Sequence, residues 1–191
     1  MSDNLIGYLN SKIENTNIIK HMLATKACME GIYDYLDGKS TKNLGKKEYW
    51  SMAGLMHDGD YTNDVPESKQ GVQITADLIE AGISVPEEVA HSMAAHNTAT
   101  KVEPESLMDW ALFTCDSMTG LIVASALVHP EKKLKSLETK NILNRFKEKS
   151  FAKGTRREDI VKCEDKLGIN LEEYVNICLS SMQNIAEELG L

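Results

Sequence analysis

The residues with the clearest chemical potential are His57 and Asp58, which are adjacent in residues 54–61 (GLMHDGDY). A neighbouring imidazole and carboxylate offer one nitrogen and one oxygen ligand, and borderline divalent cations such as Zn²⁺, Mn²⁺ and Fe²⁺ accept both. The dipeptide alone is weak evidence, because short motifs arise by chance. However, an apolar run with helical spacing precedes it and turn-forming residues follow it. The pair therefore lies where a buried helix ends, and polar groups there are costly unless something binds them.

Two further residues are candidates for the same site. His21 lies beside the apolar stripe of a predicted helix, where a histidine hydrogen-bonded to a neighbour is the simpler interpretation. Asp116 is the only charged residue between Trp110 and Val128, a segment that is apolar on nearly all sides. A buried, unpaired carboxylate would cost several kcal/mol or become protonated. We therefore expect a cation, a strong set of hydrogen bonds or an arginine partner beside Asp116.

His91, His96 and Asp60 are the remaining candidates for chemistry near the pair. His91 and His96 are five positions apart, about 140° around a helix, so both cannot face one site unless the helix ends between them. His96 is the better candidate because it lies at a helix end, where active-site loops often begin. Asp60 follows the His-Asp pair closely. It is either a residue that orients or deprotonates a water molecule, or a turn residue, a role in which Asp is common.

The elements that must position these residues all follow helical patterns. We predict helices over about 14–36, 47–56, 66–82, 84–96, 105–128, 137–147, 155–167 and 170–189, with capping residues at Ser84, Thr155 and Asn170. We find no strand alternation, internal repeat or Gly-rich phosphate loop. The sequence therefore predicts an all-α, single-domain helical bundle over residues 1–191. Its metal-site core would span about 14–130, with C-terminal helices from 131–191 packed on it.

Composition limits the classes of partner. The formal net charge of −8 argues against a nucleic-acid polymer or an anionic membrane, because both bind basic surfaces, and favours a small molecule. The four cysteines are far apart and form no C-x-x-C pair, so we expect buried free thiols in a reducing cytoplasm. No signal-peptide pattern is visible, and Asp116 near the middle of residues 110–128 argues against a membrane span. The sequence makes no prediction about the oligomeric state.

The order His21, His57-Asp58, Asp116 in an all-helical chain resembles the HD-domain superfamily of metal-dependent phosphohydrolases. The segments AGLMHDGDYTNDVPES, MAAHN and DSMTGLIVASALVHPEKKL are similar to those of small, stand-alone bacterial HD proteins. The likeness runs through most of the chain, including KEKSFAKGTRREDI. This resemblance is specific because it concerns order, spacing and context together.

The resemblance implies that His21, His57, Asp58 and Asp116 bind one divalent cation. Two imidazoles and two carboxylates suit Mn²⁺, Fe²⁺, Co²⁺, Ni²⁺ or Zn²⁺ better than Mg²⁺, which prefers oxygen ligands. Many two-metal relatives have a further histidine shortly after the His-Asp pair, where this chain has residues 68–70 (SKQ). His96 matches a second such position, but its partner is missing. We therefore expect one metal ion.

The resemblance also implies hydrolysis of a small phosphorylated molecule, such as a nucleotide or another phosphate ester, with Asp60 and His96 as the candidate catalytic residues. The chain is basic from Lys132 to Lys153, a run that is either a solvated face or a set of phosphate contacts. The candidate substrate-binding cations are Lys69, Arg145, Lys149 and Lys153.

Two alternatives to hydrolysis stay open. One is a non-catalytic module in which the metal braces the helices and the pocket binds a signalling nucleotide. The other is a di-iron oxygenase, which the missing histidine disfavours.

Overall fold

The computed structural model describes residues 2–191, and in this range the secondary structure is helical with no strand. The all-α prediction is therefore confirmed. The α-helices are α1 Ser2–Lys12, α2 Thr16–Asp37, α3 Lys47–Met56, α4 Gln73–Glu80, α5 Glu87–Ala95, α6 Leu107–Val128, α7 Thr139–Lys147, α8 Arg157–Ile160, α9 Leu171–Asn184 and α10 Ala186–Leu189. Short 3-10 turns cover Glu67–Lys69, Thr98–Thr100 and Leu134–Ser136, and a π-helical turn covers Cys163–Leu167.

Helix α6 is the central helix, because α2, α5, α7, α8 and α9 all pack against it. It begins with a capping box, in which the Ser106 hydroxyl accepts the Asp109 N–H and the Asp109 carboxylate accepts the Ser106 N–H. By length and composition this helix could cross a membrane, but 67% of its most apolar stretch is buried inside the structure. A core helix enclosed by its neighbours has the same properties.

Helices α2 and α3 approach each other closely at Gly54. A Cβ atom added there would lie 2.8 Å from the Cα of Lys26 on α2, so only glycine allows this backbone contact. Met22 and Met29 from α2 and Trp50 and Met56 from α3 fill the interface and are fully buried. This packing brings the early turns of α2 and the end of α3 to the same part of the molecule as α6.

Several predicted helix boundaries are wrong. The helix expected over 66–82 is divided into a 3-10 turn and α4, because Gly71 between them has a φ of +87°, in the left-handed region. The helix expected over 155–167 is divided into α8 and the π-helical turn, and its N-cap is Arg156 without a side-chain cap from Thr155. Helix α5 begins after Pro86, not Ser84.

Other local predictions are confirmed. Asn170 caps α9 by accepting the Glu173 N–H, although that helix ends at Asn184 and α10 follows separately. The cysteines Cys28, Cys115, Cys163 and Cys178 are all buried and free. The sequence analysis gave no helix for the N-terminal segment, where the structure has α1.

Candidate metal centre

Side chains from four helices meet at one end of the core. His21 lies in the second turn of α2, His57 is the C-cap residue of α3 with Asp58 directly after it, and Asp116 lies near the middle of α6. His96, the C-cap residue of α5, completes the cluster. The structure therefore brings together all four predicted metal ligands and one of the two predicted catalytic residues.

The distances within the cluster match those between ligands of one cation. His21 Nε2 lies 3.2 Å from His57 Nε2 and 3.0 Å from Asp116 Oδ1. Asp58 Oδ2 lies 3.5 Å from His21 Nε2 and 3.4 Å from His57 Nε2. With metal–ligand bonds of about 2.1 Å, neighbouring ligand atoms are about 3.0 Å apart at octahedral angles and about 3.4 Å apart at tetrahedral angles. His57 Nε2 and Asp116 Oδ1 are farther apart, at 3.9 Å, so the spacings around His21 Nε2 are the ones that fit a single metal ion.

Hydrogen bonds at Nδ1 orient all three histidines towards the centre. His57 Nδ1 lies 3.0 Å from the Gly54 carbonyl and His96 Nδ1 lies 2.6 Å from the Met93 carbonyl. A carbonyl only accepts, so both Nδ1 atoms carry the proton. The Thr119 hydroxyl donates to the Asp116 carbonyl at 2.7 Å, so it accepts from His21 Nδ1 at 3.2 Å.

The consequence is that each imidazole presents Nε2 to the cluster. Outer hydrogen bonds of this kind fix the tautomer and orientation of metal-binding histidines. The Nε2 atoms of His21 and His57, 3.2 Å apart, would set two lone pairs against each other if both rings were neutral. A proton or a metal cation between them removes that repulsion.

The charges of the cluster also favour a cation. Burial raises the pKa of Asp116, but the hydrogen bond and charge of His21 outweigh it and hold the pKa below its usual range. Burial likewise raises the pKa of Asp58, but the charges and hydrogen bonds of His57 and His96 hold it well below the usual value. Both carboxylates are therefore ionised at neutral pH, and their negative charge attracts either protons or a metal ion.

His96 faces the other oxygen of Asp58. Its Nε2 lies 3.4 Å from Asp58 Oδ1, so this carboxylate contacts His21 and His57 on one side and His96 on the other. Burial lowers the pKa of His96, but the hydrogen bond and charge of Asp58 outweigh it and the net shift is upward. His57, Asp58 and His96 form a second group that could hold an ion.

His91, by contrast, points elsewhere. Its Nδ1 lies 3.0 Å from Asp109 Oδ2 at the start of α6, so the two histidines of α5 contact different parts of the structure, as their spacing requires.

Gly71 explains how His96 is enclosed. A Cβ at Gly71 would collide with the Met93 carbonyl and lie 2.9 Å from His96 Cε1, so glycine lets the chain pass directly over the imidazole ring.

Asp60 is placed in a turn contact. Its carboxylate accepts the Gly71 N–H at 2.9 Å and the Ile74 N–H at 2.8 Å, and the side chain is almost fully buried. In the part of the chain that the structure describes, the Asp60 carboxylate accepts hydrogen bonds from these two amides alone. Asp60 therefore fastens the start of α4 to the loop after Asp58, and its predicted role as a base has no contact to support it.

The predicted substrate-binding cations are scattered. Lys153 lines a cavity of about 350 Å³ that His21 and Asp116 also line. Arg145 pairs with Glu148 at 2.8 Å and borders a different cavity, beside His129. Lys69 lies on the 3-10 turn before α4 and Lys149 lies in the loop after α7, both exposed. Of these four predicted cations, the structure thus brings one to the metal centre.

Arg156 is the residue that the sequence analysis missed. Its Nη2 lies 3.0 Å from Asp116 Oδ2, and its Nε lies 2.6 Å from Asp159 Oδ2. The sequence did indicate that a buried Asp116 needs a cation or an arginine beside it. Nothing in the sequence showed that Arg156 is that arginine. Thr119 was missed as well, although its spacing of three residues from Asp116 places both on one face of α6.

No protein-family model, curated protein or solved structure matches this chain. The metal-binding arrangement therefore rests on the geometry of the described residues. The resemblance to HD-domain proteins rests on the order and context of His21, His57, Asp58 and Asp116 in the sequence.

Proposed function

We propose that this protein is a metal-dependent phosphohydrolase of the HD-domain type that acts on a small phosphate ester. The observation that carries the proposal is that His57, Asp58 and Asp116 meet around the Nε2 atom of His21, with His96 on the other oxygen of Asp58. The order of these ligands along the chain, and the basic cavity beside them, favour phosphate chemistry over other uses of a metal.

His21, His57, Asp58 and Asp116 would hold one divalent ion. The spacings of 3.0 to 3.5 Å around His21 Nε2 fit such an ion, and the mixture of nitrogen and oxygen donors suits Mn²⁺, Fe²⁺, Co²⁺, Ni²⁺ or Zn²⁺. A bound ion supplies Lewis acidity to the phosphoryl oxygens and lowers the pKa of water. The Nδ1 contacts of His21 and His57 keep both rings in place when the site is empty or filled.

His96 is the group of this site best placed to move a proton. Its Nδ1–H stays on the Met93 carbonyl, so the exchangeable proton is at Nε2, where Asp58 holds it. In the metal-free protein the hydrogen bond and charge of Asp58 raise the pKa of His96. His96 can therefore protonate the leaving oxygen of the ester, and Asp58 positions it for that step.

One observation favours a second candidate function. Asp58 presents one oxygen to His21 and His57 and the other to His96, as a carboxylate shared by two ions would. Two irons at this centre would support the oxygenase alternative. The braced-module alternative needs only one ion joining α2, α3 and α6.

Metal analysis of the purified protein, combined with a phosphate-release screen on mono- and diesters, tests the proposal. The His57→Ala and Asp116→Ala variants should lose the metal and the activity while keeping their helical circular dichroism. His129→Ala, a histidine outside the cluster, is the matched control and should keep both.

Three other outcomes of these experiments would each lead to a different conclusion. Retention of stoichiometric metal by both variants would show that the site is misassigned. Full metal occupancy without turnover on any ester would favour the binding module, and two irons with dioxygen uptake would favour the oxygenase.

A further inference from the structure

The cavity beside the metal centre has walls from two parts of the chain. Asp116, Ser117 and Gly120 of α6 form one wall, and residues 152–156 form the other. A Cβ added at Gly120 would have no other atom within 4 Å, so the missing side chain leaves open space one turn beyond Asp116. A molecule in this cavity would therefore lie directly against a metal ligand.

Arg156 enters this cavity with its orientation fixed. Asp116 holds Nη2 at 3.0 Å and Asp159 holds Nε at 2.6 Å, so the guanidinium plane is set from two sides. In the described structure Nη1 makes no such contact, and the side chain is 42% exposed. A preorganised guanidinium with unused donors is well suited to bind a phosphate oxygen.

Lys153 borders the same cavity from a strained turn. Ala152 before it has a φ of +44°, which is unfavourable for alanine, and the Thr155 N–H donates to the Ala152 carbonyl at 2.9 Å. Arg157 holds the preceding loop by donating to the Phe146 and Phe151 carbonyls at 2.7 Å each. Strain of this kind persists where surrounding contacts impose it, often at ligand sites. Among the described residues Lys153 has no ion pair.

The balance of charge defines the ligand. Asp159 is shared between Arg156 at 2.6 Å and Lys162 at 3.5 Å. With a divalent ion bound beside Asp58 and Asp116, the positive charges of the ion, Lys153, Arg156 and Lys162 exceed the negative charges of the three carboxylates, so the cavity carries a net positive charge of about two. A phosphate monoester carries a charge of about −1.5 to −2 at neutral pH, whereas a diester has a single ionised oxygen.

We propose that Lys153 and Arg156 form an anion seat for the dianionic phosphate of a monoester, next to the metal centre. This inference rests on the proposed function, because it narrows the substrate class from phosphate esters to phosphate monoesters. A terminal phosphate in the seat contacts both cations, while the organic part of the substrate extends away from the loop.

Calorimetric titration of the metal-loaded protein with inorganic phosphate tests the seat without turnover. Lys153→Gln should weaken phosphate binding about tenfold, the loss expected for one charge-assisted hydrogen bond. Arg156→Lys keeps the positive charge but loses the planar set of N–H donors of the guanidinium, so it should weaken phosphate binding as well. Lys147→Gln removes an exposed charge from the same basic segment and should leave the affinity unchanged. Metal content must stay normal in Lys153→Gln, because that residue touches no ligand.

Ester preference gives the second readout. The ratio of kcat/KM for p-nitrophenyl phosphate to that for bis(p-nitrophenyl) phosphate should exceed one in the wild type and fall in Lys153→Gln and Arg156→Lys. An active wild type with unchanged phosphate affinity in both variants would overturn the seat and leave the hydrolase standing. Phosphate binding that depends on Lys153, without turnover on any ester, would support the seat and overturn the hydrolase.

Discussion

Each histidine of the candidate metal centre is held through Nδ1, which leaves Nε2 facing the cluster. Two of the three acceptors, the carbonyls of Gly54 and Met93, lie three residues before the histidine they hold. A histidine at the end of a helix reaches such a carbonyl without any long-range partner, so α3 and α5 orient their own histidines. His21, inside α2, depends instead on Thr119 of α6.

Asp60 shows how one carboxylate can serve structure in place of chemistry. We expect Asp60→Asn to lower the free energy of unfolding by about 1 to 3 kcal/mol, because the amide nitrogen would face a buried N–H that then lacks an acceptor. The metal content should stay normal. The kcat should fall by much less than the 10²- to 10⁴-fold that loss of a general base causes. Urea denaturation and steady-state kinetics measure the two quantities.

The exposed Asp64→Asn, in the same loop, is the control for Asp60→Asn and should change neither quantity. An Asp60→Asn protein of normal stability with a hundredfold lower kcat would restore Asp60 as the base.

Which site residues could be predicted depended on how local their signal is. His57, Asp58 and Asp116 stand out because a polar group in an apolar helical segment requires a partner. Arg156 lies 40 residues from Asp116 in sequence, among other cations. Its contact with Asp116 depends on the turn at 152–156, which the sequence does not predict. Arg145 and Lys149 were equally basic in sequence, but the fold directs them away from the cavity.

The separation between α2 and α3, which carry His21 and His57, depends on a single small residue, Gly54. Gly54 lies against the backbone of Lys26, and its carbonyl also holds His57 Nδ1. Gly54→Ala would therefore push α3 away from α2 and move His57 relative to His21. We expect a loss of about 1 to 3 kcal/mol in the free energy of unfolding, typical of overpacking, although alanine favours helix. We also expect a weaker metal affinity, measured by competition with a chelating dye.

The control for Gly54→Ala is Gly7→Ala. Gly7 lies in α1 with no atom within 4 Å of an added Cβ, so alanine there should be neutral or slightly stabilising. Equal effects of the two changes would show that the contact with Lys26 does not set the spacing of the ligands.

The sequence predicted where most helices lie, but it did not predict where two of them are interrupted. Apolar stripes repeat at helical spacing in α2, α3 and α6, and these elements agree closely with the prediction, whereas the helix expected over 170–189 ends at Asn184. The break at Gly71 depends on contacts with Met93 and Asp60, which are distant in sequence.

At the scale of the whole molecule, the site combines both parts of the chain. The predicted core of about 14–130 contains the four predicted metal ligands and His96. The C-terminal part supplies Lys153 and Arg156, so it does more than pack on the core. The chain therefore builds one wall of this cavity from the central helix α6 and the other from a late loop that Arg157 holds in place.

Stability of the metal-free protein depends on protons that occupy the cation site. Burial lowers the pKa of His21, but the hydrogen bond and charge of Asp116 outweigh it, so the net shift is upward, as it is for His96. A histidine with a raised folded pKa stabilises the fold fully below its unfolded pKa of about 6.5, and this contribution is lost as the pH rises through the folded pKa. The lowered pKa values of Asp58 and Asp116 keep both ionised throughout this range.

A metal ion bound by His21 would replace its proton, so the two cations compete. We expect the rise in Tm on adding Mn²⁺ or Zn²⁺ to grow as the pH increases from about 6 to about 8, because metal affinity increases as His21 loses its proton. Thermal unfolding followed by circular dichroism, at fixed free metal and with a chelator as the reference, measures the difference. Asp116→Ala should abolish the metal-dependent rise at every pH. A rise in Tm that is the same at all pH values would show that the metal binds without displacing a proton from His21.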